Sequence, residues 1–195
     1  AFRIAFPELK EGINERSIQI ALSCYIRSLT SFQSRFDEYM RGDDSKMNQE
    51  EIKGFSLFMG KAKCGTCHFM PLFNGTVPPT FTFTESEVIG VPGHSEEKLD
   101  PDPGRFGIYK IENFRNAFKT PSLRNVGLTA PYMHNGVFAT LDEVVEFYNK
   151  GGGKGMGLTV DNQTLPEDSL GLNSTERQAL IEFMHTLTDS ALISN

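Results

Sequence analysis

Five consecutive residues carry the densest chemistry in this chain of 195: Cys64-Gly65-Thr66-Cys67-His68. In a chain with only three cysteines and four histidines, chance produces that order about once in a thousand such chains. The spacing is that of covalent c-type haem attachment. Two thiols one turn apart can add to the two vinyl groups of a haem, and the adjacent imidazole then projects at the iron from the same side. Other uses of these residues fit less well. A redox Cys-x-x-Cys normally follows a strand of a βαβ unit, and no strand pattern precedes Cys64. A zinc site would need a fourth ligand beyond Cys64, Cys67 and His68, for which His94, His134 or Cys24 would have to serve without any second paired spacing. Free or paired thiols in a chain that never received haem are the remaining alternative.

The elements that must position this site read mostly as helices. Ile18, Leu22, Tyr25, Ile26 and Leu29 recur at helical spacing, which predicts an amphipathic helix over 14–30, with Cys24 beside the stripe as a small buried apolar residue. A short helix fits 35–40, before the Gly42-Asp43-Asp44-Ser45 loop. Asn48 with Glu51 forms a capping box that opens a helix running to about Gly60, its apolar side carrying Ile52, Phe55 and Phe58. Thr140 with Glu143 opens another, whose apolar face holds Leu141, Val144, Val145 and Tyr148 and which Gly151 closes. Asn173 with Glu176 opens the last, with Leu180, Phe183, Met184 and Leu187. Between 69 and about 139, Pro71, Pro78-Pro79, Pro92, Pro101 and Pro103 break any long element, and Phe81–Thr84 alternates like one short strand. An ordered stretch of that length needs something large to pack on, and a haem supplies it.

Composition narrows the class. Hydrophobic residues make up 38% and charged residues 23%, so the chain can build a core. A net charge of −6 argues against a nucleic-acid partner, and no run of 18 apolar residues spans a membrane. The acidic run Glu96, Glu97, Asp100, Asp102 reads as a solvated loop. The expected architecture is one domain over 1–195: a mostly α, cytochrome c-like helical domain with long ordered loops around one c-type haem. Covalent haem attachment takes place outside the bacterial cytoplasm, so the expected location is periplasmic. The opening at Ala1 without Met or an apolar leader suggests a start partway through a longer exported protein.

Longer phrases resemble a family. Phe118-Lys119-Thr120-Pro121-Ser122-Leu123-Arg124-Asn125-Val126 runs into Leu128-Thr129-Ala130-Pro131-Tyr132-Met133-His134-Asn135-Gly136, and Thr140-Leu141 starts a helix ending Phe147-Tyr148-Asn149-Lys150-Gly151-Gly152. With the segments from Asp37 to Cys67 and Leu172 to Thr188, these are similar to the C-terminal haem domain of the bacterial dihaem cytochrome c peroxidase and MauG-type family. The resemblance implies an electron-relaying haem domain of an enzyme that reduces hydrogen peroxide. Its partners would be an N-terminal peroxidatic haem domain and a small electron-donor protein, a cytochrome c or cupredoxin. The alternative is a stand-alone monohaem electron-transfer cytochrome without catalysis.

The resemblance also assigns residues. His68 is the proximal iron ligand. The peroxidases place a distal Met fourteen positions after the histidine equivalent to His134; here that position is Tyr148, the pattern of the MauG-type branch. Tyr148 is thus the expected distal ligand, with Met133 the rival and a core aromatic role the plain reading. His134 corresponds to the inter-haem histidine, which makes it the candidate catalytic residue, although a loop histidine satisfied by hydrogen bonds reads equally well. Carbonyls of Thr129 and Pro131 correspond to calcium ligands, a site left incomplete without the N-terminal domain. By residue type, Arg124 and Arg105 are candidates to pair with haem propionates, and a surface role reads equally well for each.

Overall fold

The computed structural model describes residues 2–7, 13–95 and 98–189. Among the described residues eight α-helices run in chain order: α1 (Phe2–Ala5), α2 (Glu15–Ser28), α3 (Arg35–Met40), α4 (Gln49–Met59), α5 (Phe106–Tyr109), α6 (Leu141–Asn149), α7 (Gly152–Gly155) and α8 (Ser174–Thr186). A two-residue ladder pairs β1 (Ser86–Glu87) with β2 (Phe118–Lys119), antiparallel. The mostly helical expectation holds.

Each longer helix starts where its cap dictates. Asn48, Thr140 and Asn173 accept from the backbone N–H three residues on, and Glu51, Glu143 and Glu176 reach back to the cap's own N–H. The same reciprocal box opens α2 at Asn14 with Ser17, and α3 at Ser34 with Asp37. Gly151 takes a φ of +92° just past α6 and lies so close to Glu167 that a Cβ would stand 2.1 Å from its carbonyl oxygen, which restricts the position to glycine.

Phenylalanine rings join the core. Phe36 of α3, Phe58 of α4, Phe73 of the following loop and Phe183 of α8 are almost fully buried and meet edge to face, with centroids 5.2–6.0 Å apart. That is the geometry ring quadrupoles prefer. α4 and α8 cross closely because Gly54 has no side chain: a Cβ there would fall 1.9 Å from the carbonyl oxygen of Ala179. A second, smaller core of Val88, Ala117 and Val160 supports the loop-rich half.

Three expectations need correction. Phe81–Thr84 is not a strand: Phe81 sits at φ +51°, Thr84 makes only an isolated bridge to Thr76, and the ladder begins at Ser86. The stripe on α2 is not core either. Leu22, Tyr25, Ile26 and Leu29 are each half or more exposed, and Cys24 is exposed with them, because among the described residues nothing covers that face. Asp100, read as part of a solvated acidic loop, has a side chain only 14% exposed. Glu96 and Glu97 of that run lie outside the described residues.

Arg124 ties the long loop to α3. Its Nη1 and Nη2 each donate to one oxygen of Asp37 at 2.9 Å, with side chains only 7% and 10% exposed. Burial alone would raise the Asp37 carboxyl, but hydrogen bonds from Arg124 and Ser34 and the guanidinium charge outweigh it and hold it below the usual carboxylate range. Arg124→Ala leaves that carboxylate buried without its partner, a loss of about 3–5 kcal/mol in chemical denaturation. In the native chain the depressed pKa stabilises the fold above the unfolded value near 3.8. That stabilisation fades as pH falls through the folded value, and Arg124→Ala should flatten this acid limb.

Candidate functional site

The site is assembled by the turn that follows α4. Lys63 adopts a left-handed φ of +56°, and a short 3₁₀ turn over Cys64–Thr66 then presents both thiols and His68. The backbone N–H of His68 bonds the Cys64 carbonyl at 2.9 Å, so thiol and imidazole share one local frame.

His68 is clamped from behind. Its Nδ1 lies 3.1 Å from the carbonyl oxygens of both Phe73 and Pro121. Carbonyls only accept, so Nδ1 carries the proton and is shared between them. Nε2 is therefore the lone-pair nitrogen, the form in which histidine binds a metal. Burial pushes the pKa of His68 down, against the smaller opposite pull of the two carbonyls, which keeps the ring neutral. Phe73 aims its carbonyl at the imidazole from a left-handed φ of +49°, uncommon for a bulky residue, while its side chain is locked in the phenylalanine cluster.

Cys64 faces a narrow apolar cavity of about 30 Å³ shared with Tyr148, Val145, Leu170, Leu172 and Met184. Burial pushes the Cys64 thiol up to about 12, and Cys67 is raised as well, by burial and by the charge of Glu87. Tyr148 is raised by burial and then by Cys64, Cys67 and Glu87, so its hydroxyl stays protonated unless a cation lies beside it. These donors fit a covalently held haem: two free thiols, a neutral imidazole with its second nitrogen already bonded, and an apolar wall that includes one oxygen donor.

The other sequence candidates are dispersed. Tyr148 shares the wall with Cys64, whereas Met133, at φ +68° in the 132–138 loop, does not line that cavity. His134 lies in the same loop, stacked on Phe118 and bonded to Asp100. Arg105 donates through Nη1 to Ser86 Oγ and lies over the Tyr109 and Phe114 rings, beside the strand that carries Glu87. In this structure the donors of Arg124 are engaged within the chain. Its five N–H groups go to Asp37 twice, Pro71 twice and Ser31, which leaves none over. Thr129 donates its hydroxyl to the Val126 carbonyl, and among the described residues no cluster of His, Cys, Asp or Glu marks a metal ion site. Sequence reading missed the carbonyls of Phe73 and Pro121, because backbone acceptors leave no mark in residue type.

Fold and site together define a c-type haem domain, and comparison with known proteins places it. No family model matches the chain. It is 34% identical over 200 residues to cytochrome-c peroxidase IdrP2 of Denitromonas iodatirespirans, covering 94% of this chain and 52% of that protein. It is 34% identical over 188 residues to methylamine utilization protein MauG of Methylorubrum extorquens, covering 95% and 48%. Among solved structures, a MauG-like protein associated with microbial copper homeostasis superimposes with a TM-score of 0.79 at 30% identity, over 100% of this chain and 59% of that one. The dihaem peroxidase BthA of Burkholderia thailandensis, 24% identical with a TM-score of 0.59, shares the fold. The chain is a homologue of the bacterial cytochrome c peroxidases and MauG, and it spans about half the length of the curated relatives it matches.

The thiolate is the reactive form of cysteine, and a raised pKa keeps it scarce. In haem-free chain at pH 8, iodoacetamide should therefore modify exposed Cys24 first and Cys64 last, read by mass spectrometry of digests over time. Equal rates at Cys24 and Cys64 would contradict the burial of the site.

Proposed function

We propose that this chain is the electron-relaying haem domain of a dihaem cytochrome c peroxidase-like enzyme that reduces hydrogen peroxide, working outside the cytoplasm. The observation that carries this reading is the His68 clamp next to Cys64 and Cys67. It presents a neutral Nε2 beside two thiols, in a chain homologous to peroxidases and MauG. When bound, the haem supplies a one-electron iron centre. Cys64 and Cys67 would anchor it, His68 would offer Nε2 to its iron, and the buried phenylalanines behind His68 would keep water away. Tyr148 is the proposed distal ligand, an oxygen donor that favours the ferric state over the ferrous one.

Tyr148 bound to the iron would leave no open position there, and peroxide cleavage needs one beside an acid–base group. The proposed site of peroxide reduction is thus a second haem domain. Arg105 remains the proposed propionate partner, and the carbonyls of Thr129 and Pro131 the proposed calcium donors, completed by the other domain. The proposed electron source is a small cytochrome c or cupredoxin.

Tyr148→Phe in haem-loaded chain is expected to change the ferric absorption and electron paramagnetic resonance spectra by replacing the axial oxygen donor. An unchanged spectrum would remove Tyr148 from the iron. Isolated chain is expected to show no peroxide turnover above free haem, and addition of the companion haem domain should restore it. Turnover by the isolated chain, or none with the companion domain, would contradict the relay.

A further inference from the structure

The Asp100 carboxylate accepts three hydrogen bonds. It accepts from the Asp102 N–H at 2.9 Å, from Asn135 Nδ2 at 2.8 Å and from His134 Nε2 at 3.2 Å. The His134 side chain is 17% exposed, and its ring lies flat on Phe118, with centroids 3.6 Å apart and planes inclined by 12°. Asn135 also donates to the Pro92 carbonyl and accepts from the Val137 N–H, so the same carboxylate braces the whole 132–138 loop.

The stack is connected to the site. Phe118 is paired across the ladder with Glu87, and three residues after it in the chain the Pro121 carbonyl accepts from His68 Nδ1 at 3.1 Å. A packed ring pair thus stands three residues along the chain from the carbonyl that clamps His68. Electron tunnelling weakens steeply across gaps, so a ring fixed in van der Waals contact conducts better than one free to swing away.

We propose that Asp100 is a positioning residue: it holds the His134 imidazole flat on Phe118, with Nε2 protonated and Nδ1 as the acceptor nitrogen, and so fixes an electron route between the Cys67–His68 site and the 132–138 loop. A carboxylate only accepts, so its bond to Nε2 selects that tautomer of the neutral ring. The route rests on the redox reading above; the tautomer and the stack do not.

The test is nitrogen-15 NMR of the full chain at pH 8, without haem. Wild type is expected to show His134 as the Nε2–H tautomer with ring protons shifted upfield by Phe118. Asp100→Ala should give mixed tautomers and lose the upfield shift. Asp100→Asn, whose amide oxygen still accepts, should restore both, while unchanged His68 resonances report an intact fold. An Nδ1–H ring in wild type, or no change in Asp100→Ala, overturns the proposal. In haem-loaded chain, Asp100→Ala should slow electron exchange with hexacyanoferrate several-fold while the absorption spectrum stays as in wild type. A released ring with an unchanged rate overturns the electron route and leaves the haem assignment standing. Failure of wild type to load haem covalently overturns the haem reading and leaves the tautomer result standing.

Discussion

The shared hydrogen bond from His68 Nδ1 to the carbonyls of Phe73 and Pro121 is the constraint on which the rest depends. It decides which nitrogen carries the proton and which is free to bind iron, and it fixes the plane of the ring. Two acceptors 53 and five positions away must be held in place for that, and each is held by a different part of the fold. Phe73 is anchored by its side chain in the phenylalanine cluster, and its carbonyl also accepts from the Leu123 N–H. Pro121 belongs to the segment that Arg124 pins to Asp37 and to the Pro71 carbonyl. The buried ion pair therefore orients a loop that ends at the imidazole.

This explains why a domain with so little regular structure between α4 and α6 holds a defined site. The connecting stretch is organised by isolated bridges, by left-handed residues such as Phe73 and Asn125, and by side chains bonded to distant backbone, as Asn125 is to Asp189. Phenylalanine rings supply the apolar volume, and Arg124 and Asp100 supply directional bonds within the stretch. His68 depends on the first and His134 on the second.

Much of this was legible in sequence where the signal is local. The boxes at Asn48, Thr140 and Asn173 set helix starts, and the box also sets the phase that puts Tyr148 on the apolar face of α6. The same three-residue spacing at Ser34 and Asp37 marks α3, although Asp37 carries a second duty to Arg124 that no spacing reveals. The Cys64–His68 motif pointed to the cofactor because five adjacent residues hold its chemistry. Periodicity showed that α2 has an apolar face but could not say what covers it. Contacts such as Asp100 with His134, 34 positions apart in loops, have no period to read, so composition assigned Asp100 to solvent. For Arg124, residue type left a propionate or a surface role open, and only the geometry shows its five donors bonded to Asp37, Pro71 and Ser31.

The measurement that bears most directly on the account is peptide mass spectrometry of the chain produced in a host equipped for covalent haem attachment. The account predicts one peptide spanning Cys64–His68 that carries a haem through two thioether bonds, with Cys24 free. Recovery of Cys64 and Cys67 as free or mutually oxidised thiols under those conditions would contradict it.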